Sequence, residues 1–445
     1  MASRRRLALV PTCMLVLPNL SYGTVTEQVL FSFPGVGNFS GGAMPQAGLV
    51  RDAAGNLYGT AAGGGAFACN CGVVFMVSPS SSGSTQWTET ILHTFQGYPS
   101  DGGVPLANLT FDGAGNLYGT TLLGGANQAG TVFKLSPPAA GQTQWSELLI
   151  YEFSGANGDG QFPYSSLVFD AAGNLYGTAF LGGVNNLGMA FELVPPTGEG
   201  TGWNLVTLHS FAGGADGANP ISGLVLDARG DFYGTTFTDG VSGISGGTVF
   251  QMTPGGGGFA ETVLHTFTGQ TSGKSPDGSL PYGNLILDAS GDLFGTTLAG
   301  GAGDIIPGES SNAGTVFEVS PPSAGQTNWH ETLIHSFNGD TGDPSTADGE
   351  SPYGGLIFDA QGNLYGATAQ GGLNDFGTVF ELTPPASGTS WTQTVLHNFG
   401  SYPDGAGPFG TLVLDSSGNL YGVTENGTAL SRNDAQIGTV FEVTP

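Results

Sequence analysis

The chain has 445 residues, 79 of them glycine and 26 proline, and carries 35 acidic side chains against eight basic ones. A net charge near −27 repels phosphate backbones and anionic lipid, which disfavours nucleic acid and acidic membranes as partners and leaves cations and neutral ligands. So much glycine and proline would suit a disordered chain, but here the glycines recur at fixed intervals between apolar alternations, as in ordered repeats.

Residues 1–23, MASRRRLALVPTCMLVLPNLSYG, set Arg4, Arg5 and Arg6 before an apolar run and place Ser21 and Gly23 at the two positions a signal peptidase reads. This predicts a secretory signal peptide over 1–23, cleaved before Thr24. Without it only Arg51, Lys134, Arg229, Lys274 and Arg432 remain as strong cations. No later run is long and apolar enough to span a bilayer, so no membrane insertion is expected. Cys69 and Cys71 are the only cysteines beyond the leader. In an exported chain a local disulfide between them is expected ahead of free thiols, and metal ligation is the weaker reading because no histidine or third cysteine is near in sequence.

Next along the chain, DAAGNLYGT at Asp52–Thr60 returns almost unchanged at Asp170–Thr178, and its aromatic residue marks seven copies at Tyr58, Tyr118, Tyr176, Tyr233, Phe294, Tyr365 and Tyr421. The steps between them are 60, 58, 57, 61, 71 and 56 residues. A GTVF-like motif, from Gly72–Phe75 to Gly438–Phe441, and an LHTF-like motif, from Phe33 to Phe399 at its last residue, keep the same rhythm. Three motifs in fixed order, seven times each, predict a tandem array of one supersecondary unit.

In the second copy, Val104–Asp112 and then NLYGTTL alternate apolar and polar residues on either side of a GAG turn, which predicts two hairpin strands. The turn aspartate can accept backbone N–H bonds, and the glycine three residues later can take a positive φ. Gly130–Pro137 reads as a third strand stopped by proline, and Gln144–Phe153 as a fourth. In the fourth strand Trp87, Trp145, Trp203, Trp329 and Trp391, with Phe259 substituting once, precede a histidine or tyrosine by six residues. An even offset predicts both rings on one face of the strand.

Four antiparallel strands in each of seven units, with no helical period in residues 24–445, predict an all-β, seven-bladed β-propeller as a single domain over 24–445. A parallel β-helix fits less well, because its strands do not form local hairpins. TVTEQVLFSF (24–33) is a fourth-type strand with no first three before it, and GTVFEVTP ends the chain as a third-type strand with no fourth. The N-terminal strand is therefore expected to complete the last blade and close the ring, removing the open sheet edges.

Together DAAGNLYGT, GTVFKLSPP and LHSFAGGADGANP resemble the GloVer-type tandem repeats of exported bacterial proteins, and the first motif alone is similar to the hairpins of NHL-like propellers. The resemblance covers nearly all of 24–445. It implies a propeller and a bacterial extracellular or periplasmic location, and it carries no reaction or ligand common to the family. Members are often described with a C-terminal anchor, whereas this sequence ends at Pro445 just after a strand, so free secretion is expected.

Loops from fourth to first strand and from second to third should emerge on one face. The first group carries Asp101, Asp159, Asp216, Asp277, Asp348 and Asp404, with Gly41-Gly42 lacking the acid. A rim of such carboxylates suits a cation or sugar hydroxyls, while Asp-Gly is also simply good turn chemistry. His93, His209, His265, His335 and His397 share one column with Phe31 and Tyr151, so they read as packing residues. The longest step contains Asp304, Glu309, Asp340, Asp343, Asp348 and Glu350. Of these, Asp340, Asp343, Asp348 and Glu350 are the expected calcium ligands, and a pair drawn from Asp304, Glu309, Asp340, Asp348 and Glu350 could act as acid and base on a glycosidic bond. No serine-hydrolase elbow, phosphate loop or zinc-protease motif occurs. The expectation is a secreted monomeric binding module for a neutral polysaccharide, a cation or a protein partner. The alternative is a carbohydrate-active enzyme using the loops of 296–352.

Overall fold

The computed structural model describes residues 25–34, 41–65, 69–80, 87–156, 158–197, 202–240, 246–256, 258–269, 275–301, 313–339, 347–400, 404–427 and 438–445. Apart from one short 3-10 turn at Gly214–Asp216, every regular element among them is a β-strand. The leader, Asp304, Glu309, Asp340 and Asp343 lie outside the described residues.

The repeat motif folds as the local chemistry dictates. In the second blade Asp112 clasps its hairpin: Oδ1 accepts the N–H groups of Ala114 and Asn116, and Oδ2 accepts the Asn116 amide and the Tyr118 hydroxyl. Gly55, Gly115, Gly173, Gly230, Gly291, Gly362 and Gly418, the turn glycines of all seven copies, have φ between +82° and +92°. In that region a side chain strains the backbone, which is why the turn is rewritten with glycine each time.

Each hairpin extends into a sheet of four antiparallel strands. Thr110–Phe111, Leu117–Thr121, Thr131–Ser136 and Ser146–Glu152 lie side by side in chain order from axis to rim. The other blades repeat this arrangement, and seven such sheets form a seven-bladed β-propeller. In the last blade Ala406–Leu414, Leu420–Asn426 and Thr439–Thr444 are completed by Thr26–Ser32, with Thr26 opposite Thr444 and Ser32 opposite Thr439. The ring is closed by its two ends.

The core is divided among the seams between blades, because a single sheet has no second layer of its own. At one seam Leu117, Phe133 and Leu135 pack with Tyr58, Val74 and Phe95 of the preceding blade. Seven such clusters follow one another around the ring. Neighbouring inner strands are further tied by hydroxyls: Thr60, Thr120 and Thr178 each donate to a carbonyl of the next blade, at Ala107, Ser165 and Ser222.

Every pairing of third and fourth strands contains a bulge, for example between Val74 and Phe75, where His93 and Ile91 are the successive partners and Leu92 is the extra residue. All seven blades share it. The bulge reverses the side-chain alternation within the strand. Trp87 therefore packs toward Tyr421 of the preceding blade while His93 faces Glu147 of the following one. The six-residue offset does not keep both rings on one face, because one residue between them is not counted in the ladder.

Candidate functional site

The loops expected on one face do emerge together. In the second blade Gly102–Gly103, leading into the inner strand, pairs with Leu123–Gly124, just after the second strand. The first and third blades repeat this short ladder. The residue after the loop proline then points down the axis in every copy, giving the column Gln46, Leu106, Tyr164, Ile221, Tyr282, Tyr353 and Phe409 around a cavity of about 70 Å3.

This mouth is aromatic on one side. Phe237 meets Tyr282 edge to face at 6.1 Å, Tyr282 meets Tyr353 edge to face at 5.1 Å, and Tyr353 stacks on Phe409 at 4.4 Å. Tyr164 meets Phe180 edge to face at 5.6 Å. All six rings are half-buried. Polar groups lie among them: Gln46 donates its amide to Glu425 at 2.6 Å, and Asn108 and Asn284 accept the N–H groups of Gly48 and Gly223. Burial, followed by Tyr164, Tyr353 and Glu425, pushes the Tyr282 hydroxyl up to about 12, so it stays protonated and able to donate. Sequence reasoning missed this column. Its signal was the aromatic residue after proline in PYSS, PYGN, PYGG and PFGT.

The predicted loop aspartates are placed at the blade seams. Each accepts a backbone N–H of its own loop, from Gln96 to Asp101, Ser154 to Asp159, Ala212 to Asp216, Thr268 to Asp277, Asn338 to Asp348 and Gly400 to Asp404. Five of them also meet the histidine column: His93–Asp101 at 3.4 Å, His209–Asp216 at 2.9 Å, His265–Asp277 at 3.5 Å, His335–Asp348 at 3.0 Å and His397–Asp404 at 3.0 Å. Each of these imidazoles packs edge to face on the phenylalanine two residues later. At the seam between the second and third blades Tyr151 takes the place of histidine beside Asp159.

A glutamate of the next outer strand closes several of these pairs. Glu27 joins His397 and Asp404, Glu147 joins His93 and Asp101, and Glu261 joins His209 and Asp216, with ligand atoms in each group within 4.8 Å of one another. Burial first, then the neighbouring aspartate, pushes Glu27 and Glu261 up to about 7. Glu147 also reaches about 7, raised by burial and Asp101 against the opposing pull of His93.

Among the residues of the longest step, Asp348 is buried and accepts bonds from His335 and from both the backbone and side-chain nitrogens of Asn338. Glu350 forms an isolated bridge with Gln370. Cys69 and Cys71 are joined as a disulfide. Among the described residues no helix is long and apolar enough to cross a membrane.

The profile described as the Gloeobacter/Verrucomicrobia repeat matches residues 19–202, 142–347 and 308–445. None of the curated proteins compared matches in sequence. Among solved structures, a luciferin-regenerating enzyme is similar with 12% identity and a TM-score of 0.40, covering 76% of this chain and 90% of its own. An oxidoreductase of Thermus thermophilus, provisionally described as a glucose dehydrogenase, gives 14% identity and a TM-score of 0.43 over 94% of this chain and 100% of its own. A provisionally assigned 6-phosphogluconolactonase of Bacteroides uniformis gives 11% identity and 0.43 over 85% and 89%.

Proposed function

From the premise that the chain belongs to the Gloeobacter/Verrucomicrobia repeat family, we propose that it is an exported binding module that holds a neutral glycan at the aromatic mouth of its propeller. The observation that carries this reading is the arc of Phe237, Tyr282, Tyr353 and Phe409, accompanied by the polar pair Gln46 and Glu425. Sugar rings present C–H faces that pack on aromatic area and hydroxyls that need amide and carboxylate partners, and such mixed linings orient a ligand while burying it. A cavity of about 70 Å3 is too small for a whole sugar ring, so the glycan lies across the mouth and only a pendant group enters the axis. The scarcity of cations, five beyond the leader, favours a neutral chain over an anionic one.

Export rests on the leader at 1–23 and agrees with the bridged Cys69 and Cys71, since such bonds persist in oxidising compartments. The reading does not depend on calcium at Asp340, Asp343, Asp348 and Glu350, because none of these residues belongs to the aromatic arc or to the Gln46–Glu425 pair that carry it. A hydrolytic reading draws instead on Glu425 and Glu350, which, after burial, both push the Tyr353 hydroxyl upward and so lie near one ring of the mouth.

A glycan array on residues 24–445, followed by calorimetric titration of the hits, tests the proposal. Tyr282→Leu and Tyr353→Leu should each weaken binding by about tenfold or more, which is ~1.4 kcal/mol. Leucine is the chosen replacement because Leu106 already occupies this column. Absence of any neutral glycan hit, or hits with unchanged affinity in both variants, overturns it. Release of reducing ends from a bound glycan, lost in Glu425→Gln, would move the reading to the enzyme.

A further inference from the structure

We propose that three of the seven blade seams are sites for a zinc-type divalent cation, each built from one imidazole and two carboxylates: Glu27, His397 and Asp404; His93, Asp101 and Glu147; His209, Asp216 and Glu261. They lie at the rim of the blades, apart from the aromatic mouth, and do not depend on the glycan reading.

Separations between the ligand atoms suit a small ion. With metal–ligand bonds near 2.1 Å, neighbouring ligands of a tetrahedral site stand about 3.4 Å apart and those of an octahedral site about 3.0 Å. His93 Nε2 is 3.4 Å from Asp101 Oδ2 and 3.4 Å from Glu147 Oε2, long for a hydrogen bond and right for a tetrahedral edge. His209 and His397 stand 2.9 and 3.0 Å from their aspartates.

The glutamates supply the second observation. Glu27 Oε1, Glu147 Oε1 and Glu261 Oε1 are buried and have no hydrogen-bond partner. No lysine or arginine among the described residues pairs with these carboxylates, the only such pairs being those of Arg229. A buried carboxylate oxygen left unpaired is costly, and a cation relieves that cost directly. The aspartates remain competent as ligands, since each oxygen that accepts one N–H keeps a second lone pair. The backbone donors that hold them, at Gln96, Ala212 and Gly400, fix the direction of the carboxylate as an outer shell does around a metal.

Three of the remaining seams act as internal controls. Where the glutamate column holds Leu205, the histidine column holds Tyr151. Where it holds Gln393, the amide donates to the Asp348 carbonyl at 3.1 Å and the seam is closed without an ion. Where the loop has Gly41-Gly42 in place of an acid and Phe31 in place of histidine, Glu89 accepts the Gly42 N–H. The fourth complete set, His265, Asp277 and Glu331, is looser, with His265 3.5 Å from Asp277. An imidazole with two carboxylates suits zinc or another first-row divalent ion better than calcium, which takes six to eight oxygens.

Residues 24–445, stripped with chelator and dialysed against Zn2+, should take up at least three equivalents by elemental analysis and melt at a higher temperature than the stripped protein. Glu27→Gln, Glu147→Gln and Glu261→Gln should each remove one equivalent, and Glu89→Gln none. Glutamine is tolerated at this position, as Gln393 shows. Should a glutamine variant fail to fold, His93→Tyr replaces it, following Tyr151 in the same column. Cobalt uptake with visible absorption that is lost in the triple variant would support ligation by these residues. Uptake below three equivalents, or a folded triple variant with the stoichiometry of the wild type, overturns the proposal.

Discussion

Two glycines four residues apart show that the same residue type serves different physical ends. Gly173 has φ +89°, and a Cβ built there meets nothing within 4 Å, so its requirement is conformational alone. Gly177 has room for nothing, because its Cβ would lie 2.9 Å from Phe191 Cζ and 3.0 Å from Leu167 Cδ2. Gly173→Val should therefore cost about 1–3 kcal/mol from strain, and Gly173→Asn distinctly less, since asparagine tolerates the left-handed region. Gly177→Ala should cost about 1–3 kcal/mol through overpacking. Denaturant unfolding of the three variants checks the ordering, and equal losses for Val and Asn at 173 would refute the conformational explanation.

The element that recurs most faithfully is the clasped hairpin, and its aspartate links stability to pH. Burial pushes the carboxyls of Asp52, Asp112 and Asp415 up, but hydrogen bonds from Asn56, Asn116 and Asn419 and their neighbours outweigh it and hold all three below the ordinary value of 3.8. A carboxyl depressed in the folded state contributes stability that is complete above its unfolded value and is lost as pH falls through the folded one. The stability gap between the wild type and Asp52→Asn should thus be largest near neutrality and shrink below about pH 4. A gap that is the same at about pH 7 and pH 3.5 would assign the clasp to neutral hydrogen bonding alone. At the same scale, adjacent apolar pairs such as Ile91-Leu92 and Leu149-Ile150 were the visible trace of the bulge. They break strict alternation, but a pair of apolar residues also fits an unbulged strand buried on both faces, so only the ladder distinguishes the two.

For the whole molecule, the closing strand matters beyond its seven residues. Thr26–Ser32 covers the edge of Thr439–Thr444, and Leu30 and Phe33 pack into the seam cluster with Phe75 of the first blade and Val440 of the last. Deleting 24–33 should lower the melting temperature of the entire ring and produce higher-order species on gel filtration, because the edge exposed is a template for pairing. A truncated chain that melts with the wild type as a monomer would show that the ring does not depend on this closure.

Repetition let the sequence alone determine the number of blades, the order of strands within them, the glycine of each turn and the joining of the two ends. These follow from neighbours along the chain and from counting copies, which one dimension carries in full. Only the tertiary structure decided which residues of different copies meet. The Tyr282–Tyr353–Phe409 arc forms because the ring brings one position of every copy to the axis. The Glu147–His93–Asp101 group forms because a bulge turns His93 toward the next blade, where Glu147 stands 54 residues further on. Linear spacing records neither curvature around an axis nor a residue left out of a ladder, and both candidate sites depend on those two quantities.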